Sequence, residues 1–297
     1  MMDSKRNYTV IVILALIWSF HFFVLGFLNQ KIDPLATGAF VRFVTFLILT
    51  ASLFAQKRLH ILYPFPTAVV LKLICVGILG FLLDWTSFIG FQYSSANTGT
   101  VLLKTDVIFA NVLSVIFFKE HLTKSSVLLT CSMLLGVLMV LGINPFDLQF
   151  HAFDLFFILS ALFVTLNAFL IQHLQHAHKV SNAVIAYYNN FVTFLLFTIA
   201  MLVSNRMPSL STLTGSTLLM IVSCGITQAA IYLFYYAALS RFPVWIVKNI
   251  LLLIPVFTMV YSLVFLHVVP SLLHLSGAAI VLLSASLMIR SHNKPEK

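Results

Sequence analysis

The 297-residue chain is 61% hydrophobic and only 8% charged, whereas a soluble domain carries about 25% charged residues. So little polar surface cannot cover a water-soluble globule, which excludes a soluble enzyme or binding domain and makes this a polytopic, all-α membrane protein. The formal net charge of +9 does not signal nucleic acid, because the basic residues fall singly or in pairs between apolar runs and form no stripe that could track phosphates.

A helical span takes about 20 mostly apolar residues. Ten such stretches follow one another: 8–28, 35–56, 68–92, 98–118, 125–143, 152–172, 182–204, 216–239, 243–266 and 271–290. The first follows Lys5 and Arg6, but it is longer than the apolar region of a secretory leader and shows no small-residue cleavage site, so it reads as an uncleaved span. It carries Trp18 and His21, and the second span carries Arg42. In the third, Gly77, Gly80, Asp84 and Ser87 share one helix face, which lets a neighbour approach closely beside a charge. Lys72 lies near the end of that span and can snorkel to the headgroups.

The fourth span holds Lys104, Asp106 and Asn111. Charges inside a membrane are costly and mark functional sites by default. Two positions apart on a helix, Lys104 and Asp106 point to different faces and cannot pair well with each other. Asp84 is the expected partner of Lys104, since both fall in the outer half of the membrane. Arg42, at similar depth, is expected to serve Asp84 or Asp106. Apolar replacement of a buried pair is often neutral or stabilising, so this cluster reads as a polar cavity for a charged solute more readily than as a device for stability.

Asn167 on the sixth span, Tyr187, Tyr188, Asn189 and Asn190 on the seventh, and Gln228 and Tyr232 on the eighth are further cavity candidates. Interhelical hydrogen bonding explains any one of them equally well. Between spans six and seven the run His173, His176, His178 invites a metal, but one cluster beside Lys179 in a predicted loop reads as solvated, and no metal is expected. Lys248 and Asn249 open the ninth span. Lys248 either snorkels or faces inward as a second cation. Pro255 removes one backbone hydrogen bond and can kink the span, either as a static bend or as a flex point for gating. Cys75, Cys131 and Cys224 lie singly in apolar runs without metal-ligand or redox spacing.

Turn signals at Asp33-Pro34, Tyr63-Pro64-Phe65-Pro66, Asn144-Pro145, Met207-Pro208, Phe242-Pro243 and Pro270-Ser271 separate the spans. A cytoplasmic N-terminus gathers Lys5, Arg6, Lys57, Arg58, Lys119, Lys124, Lys179, Arg241, Arg290, Lys294 and Lys297 on the inner side and leaves Lys31 and Arg206 outside. That bias predicts both termini in the cytoplasm. Dividing at Asn144-Pro145 gives two halves of five spans, 1–146 and 147–297, and an odd number per half makes them inverted repeats. Ala15-Leu16-Ile17-Trp18 matches Ala161-Leu162-Phe163-Val164, Val107 to Glu120 has the spacing of Pro255 to Val268, and Gly80 to Asp84 is set opposite Cys224 to Gln228.

The chain resembles the drug/metabolite transporter superfamily, in particular its EamA-type ten-helix members. The likeness rests on Ala15-Leu16-Ile17-Trp18-Ser19-Phe20 in the first span, Arg42 in the second and Tyr93-Ser94-Ser95-Ala96 before the fourth. Phe118-Lys119-Glu120-His121-Leu122-Thr123 after the fourth, and Ala237-Ala238-Leu239-Ser240 and Pro255 in the second half, complete it. It departs in placing Asp106 beside a position that is usually proline, and in having Val268 where the second acidic residue would stand. The resemblance implies a secondary transporter of the inner membrane, not an enzyme, working by alternating access. The expected solute is a small polar or zwitterionic metabolite such as an amino acid or derivative. Nucleoside-like solutes, S-adenosylmethionine among them, and nucleotide sugars stay open, as does, from another class, an integral-membrane enzyme. A non-transporting scaffold would leave the intramembrane charges unexplained. The candidate substrate-binding set is Trp18, His21, Arg42, Asp84, Lys104, Asp106, Asn111, Asn167, Tyr188, Gln228, Tyr232, Lys248 and Asn249. The expected partners are a small-molecule substrate and the lipid bilayer, with no cofactor and no nucleic acid, and a homodimer is allowed.

Overall fold

The computed structural model describes residues 8–63, 65–120, 122–148 and 150–292. Lys5, Arg6, Lys294 and Lys297, together with Pro64 and His121, lie outside the described residues. In chain order the helices are α1 (Thr9–Lys31), α2 (Pro34–Ala55), α3 (Thr67–Tyr93), α4 (Ala96–Leu103), α5 (Thr105–Phe118), α6 (Lys124–Val140), α7 (Leu155–His176), α8 (Asn182–Val203), α9 (Gly215–Leu239), α10 (Val244–Ile250), α11 (Ile254–Leu266) and α12 (Leu272–His292). Among the described residues nine helical stretches are long and apolar enough to cross a bilayer, with α4–α5 and α10–α11 each making one. The stretch expected over 125–143 is shorter: α6 has 17 residues, about 25 Å of helix at 1.5 Å per residue.

Spans four and nine, read from sequence as continuous, are each broken near the middle. Lys104 is both the last cap of α4 and the first cap of α5. There the ladder tightens: the Lys104 N–H donates to the Val101 carbonyl, and the Val107 N–H to that of Lys104. A half-buried lysine thus sits where regular helix stops. In span nine, residues 251–253 form a 3-10 turn, and Pro255 opens α11, a position where its missing N–H leaves nothing unsatisfied. Pro255 therefore starts a helix and does not bend one.

The two halves repeat closely. Pro34–Ala55 recurs as Asn182–Val203, displaced by 148 at both ends (182 − 34 and 203 − 55). Thr67, Ala96 and Lys124 begin helices whose mates begin at Gly215, Val244 and Leu272, at the same displacement. The caps repeat with them. Lys119 and His267 end α5 and α11 in left-handed conformation at φ 52° and 56°, and the next N–H bonds back to the Ser114 or Ser262 carbonyl. Lys57 and Asn205 close α2 and α8 in the same way. This spacing also corrects one register: Asp84 corresponds to Tyr232, one turn beyond the Gln228 expected from sequence.

The mates run in opposite senses. Along α2 and α8, a side chain at Gly38 would meet Phe197, Phe43 lies on Phe194, and Phe46 lies on Tyr187. Along α6 and α12, Gly142 abuts His274 and Gly136 abuts Val281. As one number rises the other falls in both pairs, which makes the repeat an inverted one. The packing follows suit: α3 packs on α7 and α8, as its mate α9 packs on α1 and α2, and α5 packs on α7 as α11 packs on α1.

One end of the bundle is sealed. The Gln172 amide donates to the carbonyls of Leu239 (2.9 Å) and Phe242 (3.0 Å), and Gln175 donates to that of Tyr236 (2.9 Å). These bonds tie α7 to the end of α9 and to Phe242 just beyond it. Tyr8 lies against Phe242, with ring centroids 4.6 Å apart, and its hydroxyl meets His292 Nδ1 at 2.7 Å. The two ends of the described chain therefore meet on this side.

The α6–α12 crossing depends on the absence of side chains. A Cβ on Gly277 would lie 2.6 Å from Met139 Cβ and 2.7 Å from the Gly136 carbonyl oxygen, whereas one on Gly26 meets nothing within 4 Å. Gly277→Val is expected to destabilise the protein by about 1–3 kcal/mol, as overpacking does, and Gly26→Ala to leave it unchanged. Thermal unfolding in detergent checks both, and equal midpoints would contradict this packing.

Candidate functional site

A cavity of about 1740 Å³ lies between the repeats. Its wall reaches Asn29 and Gln30 at the end of α1, Asp33 before α2, Tyr93 at the end of α3 and His274 near the start of α12. It therefore opens on the face opposite the Tyr8–His292 seal. Most of the wall is apolar or aromatic, with few polar groups converging on it, the usual make-up of a small-molecule site.

Two ion pairs cross this space. Arg42 on α2 donates to Asp84 Oδ2 at 2.9 Å and, through its other terminal nitrogen, to the Tyr232 hydroxyl of α9. The Arg42 backbone carbonyl accepts from Asn190 of α8 at 3.0 Å, so one arginine joins four helices. Lys248 on α10 donates to Asp106 Oδ2 on α5 at 3.1 Å, with its ammonium 5.9 Å from the centre of the Tyr235 ring. The Lys248 side chain is 3% exposed and that of Asp106 18%. Lys248 does not snorkel: it is buried, and its ammonium lies on a carboxylate.

This arrangement overturns the expected Lys104–Asp84 bridge. Arg42 takes Asp84, having the reach and the fork geometry to hold a carboxylate and a phenol together. Lys104, at the break between α4 and α5, also lines the cavity. Among the described residues its ammonium has no carboxylate within 4.0 Å and no hydrogen bond. The Gly80 backbone fits between Asn189, Thr193 and Asn167, where a Cβ would come within 2.5 Å of Asn189 Oδ1, so the small face of α3 brings Asp84 close to α8 as its spacing suggested.

Of the remaining candidates, Trp18, His21, Asn167, Gln228 and Tyr232 line the cavity. His21 Nδ1 meets Thr227 Oγ1 at 2.8 Å, and Asn167 donates to the Val76 carbonyl at 2.9 Å. Asn111, Tyr188 and Asn249 are not part of the wall. Asn249 is fully buried, donating to Asn111 (3.2 Å) and accepting from Thr130 (2.7 Å), so these asparagines fasten α10 to α5 and α6. Tyr188 lies one position off the inward face of α8, and its hydroxyl reaches the Leu62 carbonyl at 3.1 Å. Sequence reasoning missed Tyr235, which lines the wall and meets Trp18 edge-on at 5.4 Å. The spacing Gln228, Tyr232, Tyr235 on one helix face carried that signal. The histidine run sits apart, with His173 and His178 facing the exposed Lys72 ammonium at 3.2 and 2.6 Å.

A family model described as the EamA-like transporter family matches residues 6–142 and again 152–290. No curated protein matched the chain by sequence. A solved structure described only as "Crystal structure of protein" has a TM-score of 0.80 over 98% of this chain and 100% of its own, at 17% identity, a likeness that shows the fold alone.

Removing one partner of a buried pair strands the other charge. Lys248→Met should destabilise the protein by about 3 kcal/mol, the low end for a buried pair, because Asp106 faces the cavity. Adding Asp106→Leu should restore most of that loss. Denaturation of both variants in detergent tests the pair, and additive losses in the double variant would show that the two residues do not interact.

Proposed function

The chain belongs to the EamA-like transporter family of the drug/metabolite transporter superfamily, multi-pass membrane proteins that move small solutes, and from that premise we propose a secondary transporter of a small polar or zwitterionic metabolite, an amino acid or a derivative of one. It works in a cell's inner membrane by alternating access. Ten crossings, with α6 as the short one, divide into moving repeats at 1–146 and 147–297, and both termini are cytoplasmic. Lys57, Arg58, Lys119, Lys124, Lys179, Arg241 and Arg290 support that orientation, since positive residues collect on the inner side. The cavity then faces outward.

The observation that carries this reading is a cavity between inverted repeats, open at one end, sealed at the other, and crossed near mid-depth by two ion pairs. Broken helices at the repeat interface are the usual place for solute sites in secondary transporters. The substrate-binding set is Trp18, His21, Arg42, Asp84, Lys104, Asp106, Asn167, Gln228, Tyr232 and Lys248, with Tyr235 added. Asn111 and Asn249 support it from behind. The pairs serve as breakable ties, because a solute shifts the equilibrium only by binding the two states unequally.

Metabolite profiling of cells with and without the gene, followed by counterflow in liposomes, tests the proposal. Solute-dependent counterflow is expected from wild-type protein, with Asp84→Asn slowing it about tenfold, the effect of roughly 1.4 kcal/mol at the transition state. Counterflow indifferent to Asp84→Asn would remove the Arg42–Asp84–Tyr232 group from the site, and no counterflow for any profiled metabolite would reject transport.

A further inference from the structure

The cavity's charges do not balance. Arg42 is answered by Asp84 at 2.9 Å and Lys248 by Asp106 at 3.1 Å. Lys104 faces the same space and has no carboxylate within 4.0 Å among the described residues; the charge that attracts it, Asp106, is already held by Lys248. While the cavity is open, water and dissolved anions can solvate that ammonium. Alternating access requires a moment when both ends are shut, and an unanswered cation sealed among apolar walls is expensive. The three carboxylates on the wall, Asp33, Asp84 and Asp106, cannot relieve it, because each already holds a cation (Asp33 holds Arg206 at 3.5 Å) and would strand that one by leaving. A solute that brings the missing negative charge relieves it while Lys104 keeps its proton.

We infer that the transported solute is a monoanion, a carboxylate with an apolar or aromatic body and no compensating amine, whose carboxylate docks on Lys104. This rests on the transport reading above and narrows it: among amino acids and their derivatives, it selects those whose amine is acylated or absent. The walls suit such a body, since Trp18, Trp85, Tyr232 and Tyr235 all line the cavity and aromatic faces receive apolar groups. A zwitterion would bring a cation into a space already in cationic excess, and an amine would do so without any gain.

Trp18 and Trp85 both line the cavity, so intrinsic fluorescence of the purified protein in detergent reports occupancy. Three probes share one skeleton and differ in charge: 3-phenylpropionate, phenylalanine and phenethylamine. Phenyl phosphate forms a fourth arm that separates carboxylate from phosphate. Wild-type protein should bind 3-phenylpropionate saturably and at least about tenfold more tightly than the other three, equivalent to about 1.4 kcal/mol. Lys104→Gln should lose the preference and Lys104→Arg keep it. If Lys104→Gln does not fold, the wild-type ranking and the arginine variant still decide.

Phenylalanine or phenethylamine binding as tightly as 3-phenylpropionate would overturn the inference. So would a preference that survives in Lys104→Gln, tighter binding of phenyl phosphate, or no saturable 3-phenylpropionate binding at all. Liposome counterflow with the same probes keeps the two claims apart. Exchange of phenylalanine without 3-phenylpropionate sinks the anion inference and leaves transport standing. Selective 3-phenylpropionate binding with no counterflow does the reverse.

Discussion

The Lys248–Asp106 pair is the contact on which the site depends. It joins α10 of the second repeat to α5 of the first at 3.1 Å, next to the break in each span. A lysine in this position would otherwise have to climb to the headgroups, and a continuous ninth span would let it do so. Instead Lys248 sits on the short α10, just before the turn at 251–253, with its ammonium on Asp106 across the repeat interface. Asn249 strengthens the same junction, buried between Asn111 and Thr130. Polar groups that would be a liability in lipid are thus spent on holding two broken helices together beside a cavity.

The second pair has a different character. Arg42 and Asp84 belong to one repeat, and the links to the other are two neutral groups, the Tyr232 hydroxyl and the Asn190 amide. A hydrogen bond from a charged donor to a neutral acceptor contributes about 1.5–3 kcal/mol, against about 3–5 kcal/mol lost when one partner of a buried ion pair is removed. The Arg42 side therefore joins the repeats through neutral partners, and the Lys248 side joins them through an ion pair. At the sealed end, Gln172 and Gln175 hold α7 to α9 through neutral amide–carbonyl bonds.

Much of the architecture was legible in the sequence, because long apolar runs and proline-bearing turns admit few alternatives. The inverted repeat was legible through odd span number and the matched spacing of 107–120 and 255–268. Its register in α3 and α9 was not: Gly80 and Gly225 look alike in a string, and only the helix ends show that Asp84 stands with Tyr232. The broken spans were missed for a related reason. Apolar content measures whether a segment can cross a membrane, and it is silent on one turn of 3-10 geometry inside the segment.

The cavity's residue types were legible and its pairing was not. Helix geometry showed that Lys104 and Asp106 face apart, and depth alone then favoured Asp84 for Lys104. Depth ignores reach and direction, which gave Asp84 to Arg42 and Asp106 to Lys248. Asn111, Tyr188 and Asn249 belong to the same polar population, yet rotation about the helix axis put them behind the wall.

Motion around a fixed charged junction can be followed directly by pulsed electron paramagnetic resonance. Spin labels at Gln30 and Tyr93 bracket the open mouth, and labels at Ala177 and Arg241 bracket the sealed end; all four positions are exposed. Adding a transported solute should produce a shorter mouth distance and a longer distance at the sealed end, in populations that rise together. Distances that stay fixed at both ends, or that lengthen at both, would contradict alternating access around this cavity.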